Sequence, residues 1–331
     1  MTPAVQRASE HAGKAARGYA PWAAMTGVTV LLALVAGGSQ MAAERSAQRF
    51  AQRVERLSAE LEAVRQEQAM PAVVLNRHRD SIGFLYGTYT FSGRPAVVGR
   101  RGKLRMRFSG TGFVVGAGLI ATNRHVAEPW FEDEQAEALM RRGARPKLER
   151  LEAFFPGVGE GLRVTKVTVS DEADLAVVSF EPQASAANLR ALPLAARPAV
   201  PGDPVVVVGY PMGTAAMVAK SPRAVYRRLV NREDEMAVTR ELASLLLIRP
   251  SATFGHLGDV VGHNLIYDAA TAHGGSGGPV FNARGEVIGI NAAYLEGFSG
   301  STLGVSVEAL RPLMQEALSG LQGDERAYSM R

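Results

Sequence analysis

The 331-residue chain has no cysteine, which removes disulfides, thiolate metal sites and a thiol nucleophile together. It has no histidine after His273, and Asp80 is the only aspartate before His125. Residues 19–38 carry no charge, and residues 41–69 contain neither glycine nor proline. The formal charge of +5 is not concentrated anywhere: the arginines are spread over tails and loops, so no nucleic-acid partner is expected. An apolar content of 47% is ordinary for a globular chain of this length.

Against these absences stands one unusual stretch, Thr271-Ala272-His273-Gly274-Gly275-Ser276-Gly277-Gly278-Pro279. A serine between glycines suits acyl transfer, because backbone N–H groups can close around a developing oxyanion while the hydroxyl stays open. The plain alternative is a Gly-rich hairpin turn with a solvated serine. The same letters also satisfy Gly-x-Ser-x-Gly, but a triad ordered serine, acid, histidine needs a histidine after Ser276, and there is none. An order with the acid first would have to use Asp80, which lies in no matching context. The order histidine, aspartate, serine remains.

Both upstream members are present. Leu119-Ile120-Ala121-Thr122-Asn123-Arg124-His125-Val126 places His125 just past a buried strand, and Asp174-Leu175-Ala176-Val177 places Asp174 at a turn entering another. With Gly274 to Pro279 and the strand Val287-Ile288-Gly289-Ile290-Asn291, these segments resemble the trypsin-like serine endopeptidases, and within them the bacterial HtrA (Deg) type. The likeness covers about residues 81–319. It implies an all-β fold of two six-stranded antiparallel barrels with helical insertions, barrel one at about 81–185 and barrel two at about 200–307. A C-terminal helix is expected at 308–319, with Leu310, Leu313, Met314 and Leu318 on its apolar face. Nothing after it is long enough for the PDZ domain that many members of the type carry.

Before the barrels, residues 1–18 form a polar tail with Arg7, Lys14 and Arg17. The uncharged 19–38 segment is long enough to cross a bilayer as a helix, with Tyr19 and Trp22 at its interfaces. A retained signal anchor is the preferred reading; a cleaved secretory signal at Ala36-Gly37-Gly38 is the alternative. Both put the remainder across the membrane, and the resemblance implies the bacterial periplasm. In 41–70, Ala43, Ala47, Phe50, Val54, Leu57, Leu61 and Val64 follow the alternating steps of a coiled-coil seam. A stalk that associates copies of the chain is expected, with a solitary helical spacer as the alternative and Pro71 as its end. Within the barrels, 128–142 and 225–247 are expected to be helical, and residues 215–248 form an insertion. A hairpin is expected to turn at Gly258-Asp259, setting His256 opposite His263. No third ligand accompanies that pair, so no metal is expected.

In this scheme His125 takes the proton of Ser276 and Asp174 holds the imidazole. The N–H groups of Gly274 and Ser276 form the oxyanion hole, and no cofactor is needed. The resemblance puts Ala270 and Thr271 at the base of the specificity pocket and Asn291, Ala292 and Ala293 along its wall, with His273 directed along it. No acid sits at that base, so a trypsin-like preference for Arg or Lys in the pocket is not expected; small or aliphatic residues are. The expected function is a membrane-anchored endopeptidase acting on protein or peptide substrates of the cell envelope. The alternative is a catalytically weak protease-fold module that binds peptides or acts as a chaperone.

Overall fold

The computed structural model describes residues 20–99, 102–180, 183–294 and 302–329. The tail 1–18 and Tyr19 lie outside the described residues, as do the side chains of Trp22 and Ala293. The chain divides into two compact units, Met1–Gln66 and Glu67–Arg331.

The first helix, α1 (Ala20–His78), begins in the first unit and ends in the second. Its N-terminal part has a mean hydropathy of 1.5 over the most apolar 18 residues, a property that a membrane span and a signal sequence share. Pro71 does not end the helix; it lies inside it. An interior proline costs about 3 kcal/mol against alanine. Here Met70 and Val74, on either side of it, are buried in the core of the second unit, and that burial offsets the lost backbone bond.

The second unit is two closed antiparallel barrels of six strands each. The first comprises β1 (Ile82–Ser92), β2 (Lys103–Gly116), β3 (Leu119–Thr122), β4 (Arg145–Phe154), β5 (Leu162–Val169) and β6 (Ala176–Phe180), closed in the order β1-β2-β3-β6-β5-β4. A four-residue helix at Pro95–Val98 and two later helices, α2 (Arg124–Ala127) and α3 (Glu134–Arg141), interrupt it. The helix expected across 128–142 is thus confined to its second half, where Asp133 caps the start by accepting the Ala136 N–H at 2.7 Å.

The second barrel begins with β7 (Pro204–Gly209), after which the insertion forms three short helices rather than one: α4 (Gly213–Ala219), α5 (Arg223–Leu229) and α6 (Glu235–Ser244). Pro222 and the Asn231 to Asp234 turn divide it. The strands β8 (Ser251–Val261), β9 (Asn264–Tyr267), β10 (Pro279–Phe281), β11 (Val287–Tyr294) and β12 (Thr302–Ser306) close it in the order β10-β11-β12-β9-β8-β7. The β8–β9 hairpin turns at Gly262-His263, where Gly262 has φ 59°, and Gly258 is absorbed as a bulge in β8. His256 therefore pairs in register with Pro204 and does not face His263. Its Nε2 lies 2.9 Å from Glu67 Oε1 instead.

The last helix, α7 (Val307–Ser329), outruns the expected ten or so residues. It buries Leu310, Leu313 and Ala317, while Leu318 stays exposed. One continuous core joins the barrels: Phe84, Tyr86 and Phe113 of the first meet Val206, Val208 and Phe281 of the second. Tyr210 seals this seam, its ring 5.4 Å from that of Phe84 and its hydroxyl donating to the Ile82 carbonyl at 2.9 Å.

Candidate active site

Strand ends carry each expected side chain to this seam. β3 leads into α2 and delivers His125, while the turn from β5 to β6 delivers Asp174. His125 Nδ1 is 2.7 Å from Asp174 Oδ2, and the His125 backbone N–H donates to Asp174 Oδ1 at 3.0 Å. Asn123, fully buried, donates through Nδ2 to the Asp174 carbonyl at 2.8 Å. Imidazole and carboxylate are therefore fixed as a pair, with Nε2 left to face the cleft.

Ser276 comes from the glycine turn before β10. Its Oγ donates to the Ala292 carbonyl at 2.7 Å, so the hydroxyl at rest is turned toward β11 and not toward the imidazole. His125, Asp174 and Ser276 line one cleft of about 340 Å³, together with Thr271, Ala272, His273 and Ala292 of barrel two. Pro129, Phe131, Glu132 and Asp133 of barrel one complete its wall.

The glycine turn is held by a residue that motif reading misses. Thr111, wholly buried in β2, gives its N–H to the Ser276 carbonyl at 2.8 Å and its Oγ1–H to the Gly274 carbonyl at 2.7 Å. The same Oγ1 accepts the Tyr210 N–H at 3.1 Å. Its only trace in the sequence is the flanking pair Gly110 and Gly112, which lets neighbours approach closely. Met212, in the left-handed region at φ 61°, donates its N–H to the His273 carbonyl at 2.6 Å. Both carbonyls beside Gly274 are thus engaged elsewhere. Among the described residues no protein acceptor takes the Gly274 or Ser276 N–H. Gly274 itself has φ 90°, and a Cβ there would lie 2.5 Å from the Tyr210 carbonyl. Only glycine suits that position.

The expected pocket residues divide. Thr271, His273 and Ala292 line the cleft, but Ala270 does not, and Ala272 takes its place. Asn291 is buried behind the wall, its Oδ1 accepting from the Tyr267 hydroxyl at 2.8 Å and its Nδ2 donating to Thr271 Oγ1 at 3.0 Å. Burial raises the Tyr267 phenol well above its usual range, which keeps it the donor in that bond. Among the described residues there is no cluster of three or more His, Asp or Glu suited to a metal.

A family model described as a trypsin-like peptidase domain matches residues 110–290. The putative serine protease HhoA of Synechocystis sp. is 29% identical over 231 residues, covering 70% of this chain and 48% of that protein. The chloroplastic protease Do-like 2 of Arabidopsis thaliana is 29% identical over 184 residues, covering 55% of this chain and 23% of that protein. The chain thus spans less than half the length of either relative. Among solved structures, the active form of the Rv3671c protease from M. tuberculosis matches with a TM-score of 0.45 and 16% identity, over 73% of this chain and 82% of that one. A serine endoprotease from Yersinia pestis matches with a TM-score of 0.45 and 19% identity, over 73% and 64% respectively.

Proposed function

The chain belongs to the trypsin-like peptidase family, and on that premise we propose that it is a serine endopeptidase of the HtrA type whose triad is Ser276, His125 and Asp174. The observation that carries this reading is the 2.7 Å bond from His125 Nδ1 to Asp174 in a cleft that Ser276 also lines. A serine hydroxyl is a weak nucleophile at neutral pH. His125 Nε2 accepts its proton as Oγ leaves the Ala292 carbonyl and attacks the scissile carbonyl carbon. Asp174 offsets the imidazolium charge. The Gly274 and Ser276 N–H groups meet the oxyanion, each such donor being worth about 2.7–4 kcal/mol in comparable enzymes. The imidazolium then protonates the leaving amine, and water releases the acyl group by the same steps in reverse order of roles.

The N-terminal apolar segment anchors the protein in a membrane, and the protease unit acts on polypeptides on its far side, in the bacterial envelope. The seam from Ala43 to Val64 brings copies together. Supporting the anchor is the mean hydropathy of 1.5, and supporting the seam is its exposed apolar stripe.

A fluorophosphonate probe tests the catalytic reading. Stoichiometric labelling that disappears in Ser276→Ala is the expected result. The resting bond from Ser276 to Ala292 favours one rival, a peptide-binding module without turnover. A well-folded protein that takes no label yet binds unfolded polypeptide would establish that rival instead.

A further inference from the structure

The cleft is acidic on one side. Glu132, Asp133 and Asp174 line it, and no lysine or arginine does among the described residues. Asp174 is engaged by His125, and Asp133 Oδ1 by the Ala136 N–H. The nearest guanidinium, Arg124, is turned away: it pairs with Glu128 at 3.1 Å and Asp171 at 3.6 Å, donates to the Ser170 carbonyl at 2.9 Å and lies 4.3 Å over the Phe131 ring. That leaves the exposed Glu132 carboxylate with no hydrogen-bond or ion-pair partner among the described residues.

Its position is fixed rather than incidental. The Phe131 N–H closes a turn onto the Glu128 carbonyl at 2.8 Å, Phe131 is clamped under Arg124, and Asp133 begins a capped helix. Between these anchors Glu132 adopts φ 55°, in the left-handed region. Its backbone is held in place, which sets Glu132 in the wall of the cleft that His125 also lines. The opposite wall, built from Thr271, Ala272 and Ala292 with His273 at its edge, carries no carboxylate.

From this asymmetry we infer that Glu132 is a specificity-determining residue that selects polypeptides carrying lysine or arginine next to the residue held in the barrel-two pocket. The inference rests on the reading of this cleft as the substrate site. An extended substrate that presents its scissile carbonyl to Ser276 must run past His125, which sets one adjacent side chain against the barrel-one wall. An aliphatic residue in the pocket and a cation beside it satisfy both walls at once. Because Glu132 is solvent-exposed, the discrimination is modest and falls with added salt.

The test uses the full chain in detergent and peptides with a constant aliphatic residue at the cleaved position and Lys, Gln or Glu at each neighbouring one. The expected wild-type result is about a 3- to 5-fold higher kcat/KM for Lys over Gln at one neighbouring position, shrinking toward equality in 0.5 M NaCl, the size an exposed ion pair supports. Glu132→Gln removes that ratio, Glu132→Asp retains part of it, and Glu132→Lys inverts it toward Glu. An unchanged Lys-to-Gln ratio in Glu132→Gln, or a wild type that does not distinguish the two, overturns the inference. Fluorescence binding of the same peptides to Ser276→Ala reads the preference without chemistry. If the wild type takes no fluorophosphonate but binding still follows residue 132, the catalytic reading fails and the inference stands. If Ser276 labels fully and binding ignores residue 132, the reverse holds.

Discussion

Thr111 is the residue through which the first barrel fixes where Ser276 sits. Three of its hydrogen bonds reach the second barrel, to the carbonyls of Ser276 and Gly274 and from the Tyr210 N–H, and two of these use the hydroxyl. Thr111→Val keeps the shape but strands a buried acceptor and a buried donor. A loss of about 1–3 kcal/mol for each group left unpaired follows, less whatever the site recovers by relaxing. The larger effect falls on catalysis, because the peptide before Gly275 loses the bond that fixes it; a fall in kcat/KM of about 10²-fold, the scale of one oxyanion donor, is expected in peptide hydrolysis. Thr111→Ser should recover most of both losses, which mere core repacking would not predict. His125, Asp174 and Ser276, which the structure brings to one cleft, could be placed from the sequence because each sits within a few residues of its own strand and turn signals. Thr111 and Met212 could not, since their roles exist only once β2 and the β7–α4 turn approach the glycine loop from other parts of the chain. Ala270 and Asn291 lie outside the cleft lining for a related reason: the turn before Thr271 and the bulge at Asn291 decide which side chains face the cleft, and neither has a local sequence signal.

The same contrast appears among elements. Alternation identified the barrel strands, yet Gly258-Asp259 reads locally as the hairpin turn, and only the pairing of β8 with β9 makes Gly258 a bulge and moves the turn to Gly262-His263. In α1, local chemistry put the end at Pro71, but tertiary burial carries the helix about two turns further to His78. There the imidazole is only 8% exposed and stacks on Phe281 of β10 at 5.1 Å, with Nε2 making no hydrogen bond of ordinary geometry among the described residues. Burial is the main cause that lowers its pKa, Arg77 adds to it, and the nearby Gly285 backbone opposes it weakly. A histidine held neutral in the native state binds its proton more readily when unfolded. Stability therefore is full above the unfolded value near 6.5 and declines as pH falls through it toward the lower native value. Each pH unit in that window removes at most about 1.4 kcal/mol for one such proton. Denaturant unfolding at pH 7.5 and 5.5 should show this decline, and His78→Leu, which keeps an apolar contact with Phe281, should flatten the histidine-dependent part of it.

At the scale of the whole molecule, the first unit poses the problem that the second does not. The second buries most of its large apolar residues in a core of its own, whereas along α1 Phe50, Val54, Leu57 and Leu61 are 70%, 48%, 55% and 52% exposed. They recur at steps of four and three, the spacing that a supercoiled partner helix covers. On the proposed anchoring, a second copy of the chain is the occupant that fits, since copies held in one membrane would present the same stripe in the same direction. About three heptads are marginal in free solution, so the seam should depend on the anchor. Confinement raises effective concentration, and avidity gains of about 10²–10⁴-fold are usual for such linkage. Chemical cross-linking of full-length protein in vesicles should therefore give discrete oligomers. Leu57→Asp combined with Leu61→Asp should abolish them without changing the thermal unfolding of the barrels, because neither residue contributes to that core. Deleting residues 1–40 should weaken association by a comparable factor while leaving fluorophosphonate labelling of Ser276 intact. Oligomers that persist in the double aspartate variant would move the contact out of the seam altogether, and labelling lost with the anchor would mean that assembly, rather than the fold of one chain, completes the site.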